Sequence, residues 1–123
     1  MTDKKKIGDK GEDFAASYFQ KLGYEIKARN VHSRYGEIDL IAENTDTVVF
    51  VEVKTRTSDV VTKPDDAVDI KKIRNIGYAA NNYIKTKGIV DEVRFDIISI
   101  IGNNKENAHL EHIIEAFNPC LAY

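Results

Sequence analysis

The chain has one cysteine, Cys120, two prolines, no tryptophan and no excess of positive charge, with 18 Lys and Arg against 20 Asp and Glu and a formal net charge of -2 at pH 7. A lone cysteine can neither close an internal disulfide nor complete a zinc site, which fits a reducing cytoplasm. Scarce proline and the lack of repeats or low-complexity tracts argue against disorder. No apolar run approaches the roughly 20 residues of a membrane span. The N-terminal lysines lead into Ile7-Gly8-Asp9-Lys10 rather than an apolar signal core, so a soluble, unprocessed chain is expected. The acidic balance excludes a protein that coats nucleic acid by bulk charge, and any such contact must be local. At 123 residues and 42% hydrophobic content, one domain spanning residues 1–123 is expected.

Hydrophobic periodicity divides the chain. From about Gly8 to Leu22, Phe14, Ala15, Tyr18, Phe19 and Leu22 recur at helical spacing, and Gly23 stops the helix. Gly8 and Gly11 fall on this stripe, where a missing side chain permits close approach to a sheet. Glu12 lies at the stripe's edge and can lean over that sheet, whereas Asp13 points away; the plain alternative for Glu12 is a first-turn acid favoured by the helix dipole. Tyr24–Arg29 reads as a first strand, Asn30–Tyr35 as a polar bend, Glu37–Ala42 as a second strand and Thr47 to about Thr55 as a third. Val48-Val49-Phe50-Val51 is apolar on both faces, which predicts a central strand covered on each side. A second helix is expected from Lys63-Pro64-Asp65-Asp66 to about Lys85, with Lys72 flanking its apolar stripe and Lys71 on the far side. Strands follow around Val93–Ile101 and Leu110–Ile114, so the order is αβββαββ.

Three charges interrupt the apolar strands: Asp39 in the second, and Glu52 and Lys54 in the third. An unpaired buried charge costs several kcal/mol, roughly, so packing alone would not select them. Residues two apart on a strand share a face, which makes Glu52 and Lys54 neighbours. Pairing Ala42 with Thr47 puts Asp39 opposite Phe50 and Glu37 opposite Glu52, with Asp39 diagonal to Glu52 at about 7 Å on the same face. Two carboxylates at that separation suit magnesium, which keeps several waters and accepts a substrate phosphate. Lys54 is placed to orient a nucleophile or counter developing negative charge. The plain alternative is a strand emerging into solvent with Asp39 salt-bridged to Lys54. Glu37, next to a glycine bend, ranks below Asp39.

Gly11-Glu12 with Ala15, Gly23-Tyr24, Arg29-Asn30, Gly36-Glu37-Ile38-Asp39-Leu40-Ile41-Ala42, Phe50-Val51-Glu52-Val53-Lys54-Thr55-Arg56, Lys72, Arg94-Phe95-Asp96 and Ala116-Phe117 together resemble the pattern of the YraN-like family of predicted endonucleases. That family is similar to archaeal Holliday junction resolvases within the restriction-endonuclease-like, PD-(D/E)xK superfamily. The resemblance covers nearly the whole chain, although Ile38 stands where the signature's name has proline. It implies an α/β fold with a central mixed sheet flanked by helices, Asp39, Glu52 and Lys54 as catalytic trio, Glu12 as accessory acid, and a homodimer presenting two sites.

The expected function is therefore a metal-dependent endonuclease acting on DNA, branched or structured DNA included, with magnesium, or manganese in its place, held by Asp39 and Glu52. The alternative is a catalytically silent nucleic-acid-binding or assembly module on the same fold. Other residues read as structural or surface groups. His109 and His112 are not assigned as ligands. Arg94 and Asp96 form a structural pair, and Arg56 binds a phosphate or counters Asp59. Tyr35, Tyr78 and Tyr83 are packing residues rather than a base-stacking platform, and Cys120 has no base beside it in sequence.

Overall fold

The computed structural model describes residues 3–56, 70–102 and 109–119, with the backbone alone for residues 3–10 and Arg56. Its elements are α1 (Asp3–Lys21), β1 (Glu25–His32), β2 (Glu37–Glu43), β3 (Thr47–Arg56), α2 (Ile70–Lys87), β4 (Glu92–Ile101) and β5 (His109–Ile113). The strands form one sheet in the order β1-β2-β3-β4-β5. All neighbours are antiparallel except β3 and β4, which run parallel. Parallel strands need a long crossover, and α2 lies in the connection between them. The result is the expected mixed α/β sheet flanked by helices, compatible with a restriction-endonuclease-like fold. Among the described residues no helix is long and apolar enough to cross a membrane.

β3 is central, and its alternation separates two cores. Val49 and Val51 pack with Ala15 and Phe19 of α1, while Val48 and Phe50 pack with Ile76, Ala79 and Ala80 of α2. Phe50 stacks on Phe95 with ring centroids 5.4 Å apart and meets the Tyr83 edge at 5.9 Å. Each fully buried side chain of this size contributes about 1.5–3 kcal/mol, so the double-sided burial of β3 dominates local stability. That rigidity matters because Glu52 continues the same strand.

The absent side chain at Gly11 sets how closely α1 lies on the sheet. A Cβ there would collide with Thr55 Cγ2 on β3 and lie 3.8 Å from Ile100 Cδ1. Gly11→Val is expected to lower stability by about 1–3 kcal/mol through overpacking, read as an earlier urea midpoint. An unchanged midpoint would show that the helix can back away freely.

Several boundaries differ from those read in the sequence. α1 begins at Asp3 rather than near Gly8, and β1 continues to His32 through the expected bend. The opening of the second helix at Lys63-Pro64-Asp65-Asp66 lies outside the described residues, as do Asp59 and Cys120. The hairpin register is also corrected: Phe50 faces Ile41, not Asp39. Asn44 is responsible. Its Oδ1 accepts from the amides of Asp46 at 3.1 Å and Thr47 at 2.9 Å, and its own amide donates to the Thr47 carbonyl at 3.1 Å. The turn is therefore two residues, Thr45-Asp46, and β2 slides by two relative to the expected pairing. A slip of two preserves parity, and continuing the register brings Asp39 level with Glu52.

Arg94 and Asp96 pair as expected. Asp96 is 0% exposed and accepts from Arg94 Nε at 2.9 Å and Nη2 at 2.8 Å and from the Glu115 amide at 3.1 Å. His112 Nε2 lies 2.6 Å from the same carboxylate, and its Nδ1 is 2.9 Å from Tyr18 Oη. His112 is thus a buried polar group with partners on both nitrogens. This network ties α1 and β5 to β4 and is built of residues that take no part in the cleft described next.

Candidate functional site

A cleft of about 250 Å³ opens on the α2 side of the sheet, lined by Gly36, Glu37, Asp39, Glu52, Lys72, Asn75 and Ile76. Local backbone irregularity creates it. Asn30 has φ of 51°, a left-handed conformation that Asn tolerates better than most residues, and the β1–β2 register places it opposite Asp39. Strand alternation breaks at this point. Ala28 and Val31 both belong to the α2-side core although three residues apart, and so do their partners Ile41 and Ile38. Hydrogen-bonded pairing of β2 with β3 ends at Leu40 and Val51, and Asp39 Oδ2 takes the Val53 amide at 2.8 Å in place of a strand carbonyl. Asp39 is thus held by the backbone of the very strand that carries Glu52.

The two carboxylates experience each other. Burial pushes the Asp39 carboxyl up to about 7, the Glu52 charge adds to this, and Glu12 raises it further. The Val53 hydrogen bond and the Lys72 ammonium act in the opposite direction. Glu52 is only 5% exposed and is ion-paired with Lys72 Nζ from α2. A buried carboxylate needs such a partner, since leaving it alone costs about 3–5 kcal/mol.

Of the residues singled out in the sequence, Asp39 and Glu52 meet in the cleft. Lys54 is half-buried on β3 in register with Ser99, two positions beyond Glu52 and so on the same face, but it does not line the cleft. Glu12 has 13% of its side chain exposed and lies 3.9 Å from Arg29 Nη2. It leans over the sheet as expected, near enough for its charge to act on Asp39, while Asp13 stays 66% exposed and takes the close Arg29 contact at 2.7 Å. Glu37 lines the cleft but is bound to His32 Nδ1 at 3.1 Å. Lys72 and Asn75 were not assigned to the site in the sequence. The usable signal for Lys72 was its place beside the apolar stripe one turn before Ile76, which aims it at the sheet.

Among the described residues no group of three or more His, Cys, Asp and Glu is arranged to hold a metal ion. The donor set is therefore two carboxylates, Asp39, whose burial and the Glu52 charge hold its proton to about neutral pH, and Glu52, which carries an ammonium. One buried and one half-buried carboxylate lining an open cleft fit a hard divalent cation that completes its shell with water and phosphate oxygens. Without one, Lys72 supplies the compensating charge.

Comparison with known proteins agrees with this chain-wide pattern. A UPF0102 protein of Syntrophomonas wolfei is 45% identical over 114 residues, covering 92% of this chain and 98% of the relative. A UPF0102 protein of Bacteroides thetaiotaomicron is 40% identical over 121 residues, covering 98% and 99%. One from Persephonella marina is 44% identical over 112 residues, covering 90% and 92%. The model of the uncharacterised protein family UPF0102 matches residues 11–100, which contain both carboxylates, Lys54, Glu12 and Lys72. The chain belongs to the UPF0102, or YraN-like, family.

Proposed function

We propose that this protein is a metal-dependent endonuclease that hydrolyses phosphodiester bonds of DNA, branched or structured DNA included. The observation that carries the reading is the meeting of Asp39 and Glu52 at the frayed end of the β2–β3 ladder, in an open cleft walled by Lys72. Asp39 and Glu52 would hold magnesium, or manganese in its place. When bound, the ion supplies Lewis-acid polarisation of a phosphoryl oxygen and lowers the pKa of a water. In the metal-free cleft the Asp39 carboxyl titrates near neutral pH, so binding of the ion would release its proton. Lys72 places an ammonium at the cleft wall where a phosphate oxygen can reach it, and Lys54 adds positive charge further along β3. The fold supplies rigidity, because Glu52 extends a strand packed on both faces.

The competing reading, a silent binding or assembly module, draws on the Lys72–Glu52 pair, which compensates the buried carboxylate from within the chain. The deciding experiment incubates the purified protein with four-way junction, flap, linear duplex and single-stranded DNA in Mg²⁺, Mn²⁺ or EDTA. Cleavage of at least one substrate that requires the divalent ion supports the nuclease. Binding without cleavage of any substrate, in either metal, supports the module.

A further inference from the structure

Beside the cleft stands an exposed aromatic and basic ledge. Tyr35 is 39% exposed and Tyr78 41% exposed, and their rings lie 5.6 Å apart, centroid to centroid, at an interplanar angle of 43°. Arg34 covers Tyr35 at 5.1 Å from the ring centroid, and its Nη2 donates to Tyr35 Oη at 3.0 Å. Of the three tyrosines read as packing residues in the sequence, Tyr83 packs edge-on against Phe50, while Tyr35 and Tyr78 meet each other at the surface.

The ledge is built and held. Ser33 Oγ accepts from the amides of Tyr35 at 3.1 Å and Gly36 at 3.3 Å, and the Ser33 amide donates to the Gly36 carbonyl at 3.0 Å. This closed turn lies hard on α2: a Cβ on Gly36 would come within 3.0 Å of Asn75 Cβ. The contact at Gly36 and Asn75, which is also one wall of the cleft, therefore seats Tyr35 against Tyr78, one turn along α2. Lys71 and Arg74 are exposed and share the Tyr78 side of the helix at spacings of seven and four. An aromatic surface with cations alongside, continuous with a carboxylate cleft, matches a strand whose phosphates run past the basic side chains while a base face lies on the rings. Within a duplex those base faces are covered by neighbouring bases. The ligand class is thus a nucleic-acid strand with unpaired bases.

We infer that Tyr35 and Tyr78, with Arg34, form a stacking platform for an unpaired base of a DNA strand beside the Asp39–Glu52 cleft. This rests on the nuclease reading for its substrate but is testable without cleavage. In EDTA, fluorescence anisotropy would compare a fluorescein-labelled single strand, a duplex with a single-stranded flap and a blunt duplex. The proteins are wild type, Tyr35→Ala, Tyr78→Ala and Tyr35→Phe/Tyr78→Phe, each checked for an unaltered thermal transition. Each alanine variant is expected to lose at least about fivefold in affinity for the single strand and the flap, with blunt-duplex affinity little changed, while the phenylalanine pair retains binding. Equal losses on flap and blunt duplex, retained flap binding in both alanine variants, or no measurable binding by wild type would each overturn the platform. Cleavage by wild type in Mg²⁺ on the same DNAs is scored separately. Base-selective binding with no cleavage leaves the platform standing and removes the nuclease, and cleavage unaffected by the alanine variants does the reverse.

Discussion

Asp39→Asn and Glu52→Gln are each expected to reduce the rate of cleavage of the preferred DNA by about 10²–10⁴-fold in magnesium, with little loss of fold. Both substitutions keep shape and remove charge. Asparagine at position 39 can still accept the Val53 amide through its carbonyl oxygen, so the anchor on β3 survives. Glutamine at position 52 leaves Lys72 facing a neutral amide, but Lys72 is 48% exposed and can turn to water. What both variants lose is a negative oxygen donor in a two-carboxylate set. Among the described residues the cleft has no third carboxylate except Glu37, already bound to His32. Initial rates on a junction or flap, with melting curves in parallel, measure this. Lys72→Ala is a useful contrast. It removes the partner of a buried carboxylate and should register first as lost stability in metal-free buffer, with magnesium restoring part of it. Cleavage that survives in both Asp39→Asn and Glu52→Gln would come from a contaminant and would end the assignment.

Much of this arrangement was legible in the residues. The apolar run Val48–Val51 declared a strand covered on both faces, and Glu52 and Lys54 had to follow it on the face of Val48 and Phe50 because alternation admits no other outcome. Glu12 against Asp13 was decided by helical angle alone. The register was not legible, because it turned on one hydrogen-bonding choice by Asn44, and a side chain that competes for turn amides cannot be weighed against alternatives from its identity. The site survived that error only because the slip was even. The break in alternation at Asn30 and Asp39 was likewise hidden, since a left-handed residue inside a strand depends on what the strand paired with it demands. Lys72 and Tyr78 belong to the same class. Their helix is evident, but which part of the sheet it crosses is a tertiary fact.

The raised Asp39 carboxyl predicts an unusual pH profile. Its folded value of about 7 stands above the unfolded 3.8, so between these values the native state binds more protons than the unfolded one. With that sign, stability falls as pH rises from about 4 to about 7 and levels off above, opposite to the effect of a carboxylate held by a salt bridge. The full swing from this site reaches up to about 4 kcal/mol. Other groups titrate over the same range, and the quantity to measure is therefore the difference between wild type and Asp39→Asn, from urea unfolding at steps between about pH 4 and 8. The substituted amide carries no proton to lose. The variant should gain on wild type steadily as pH rises, and adding magnesium at the upper end should narrow the gap by stabilising wild type alone, by about 2.7 kcal/mol at a hundredfold excess over the dissociation constant. A difference that stays flat across the range would mean that Asp39 is ionised and compensated throughout. Neither burial nor the Glu52 charge would then hold a proton on Asp39.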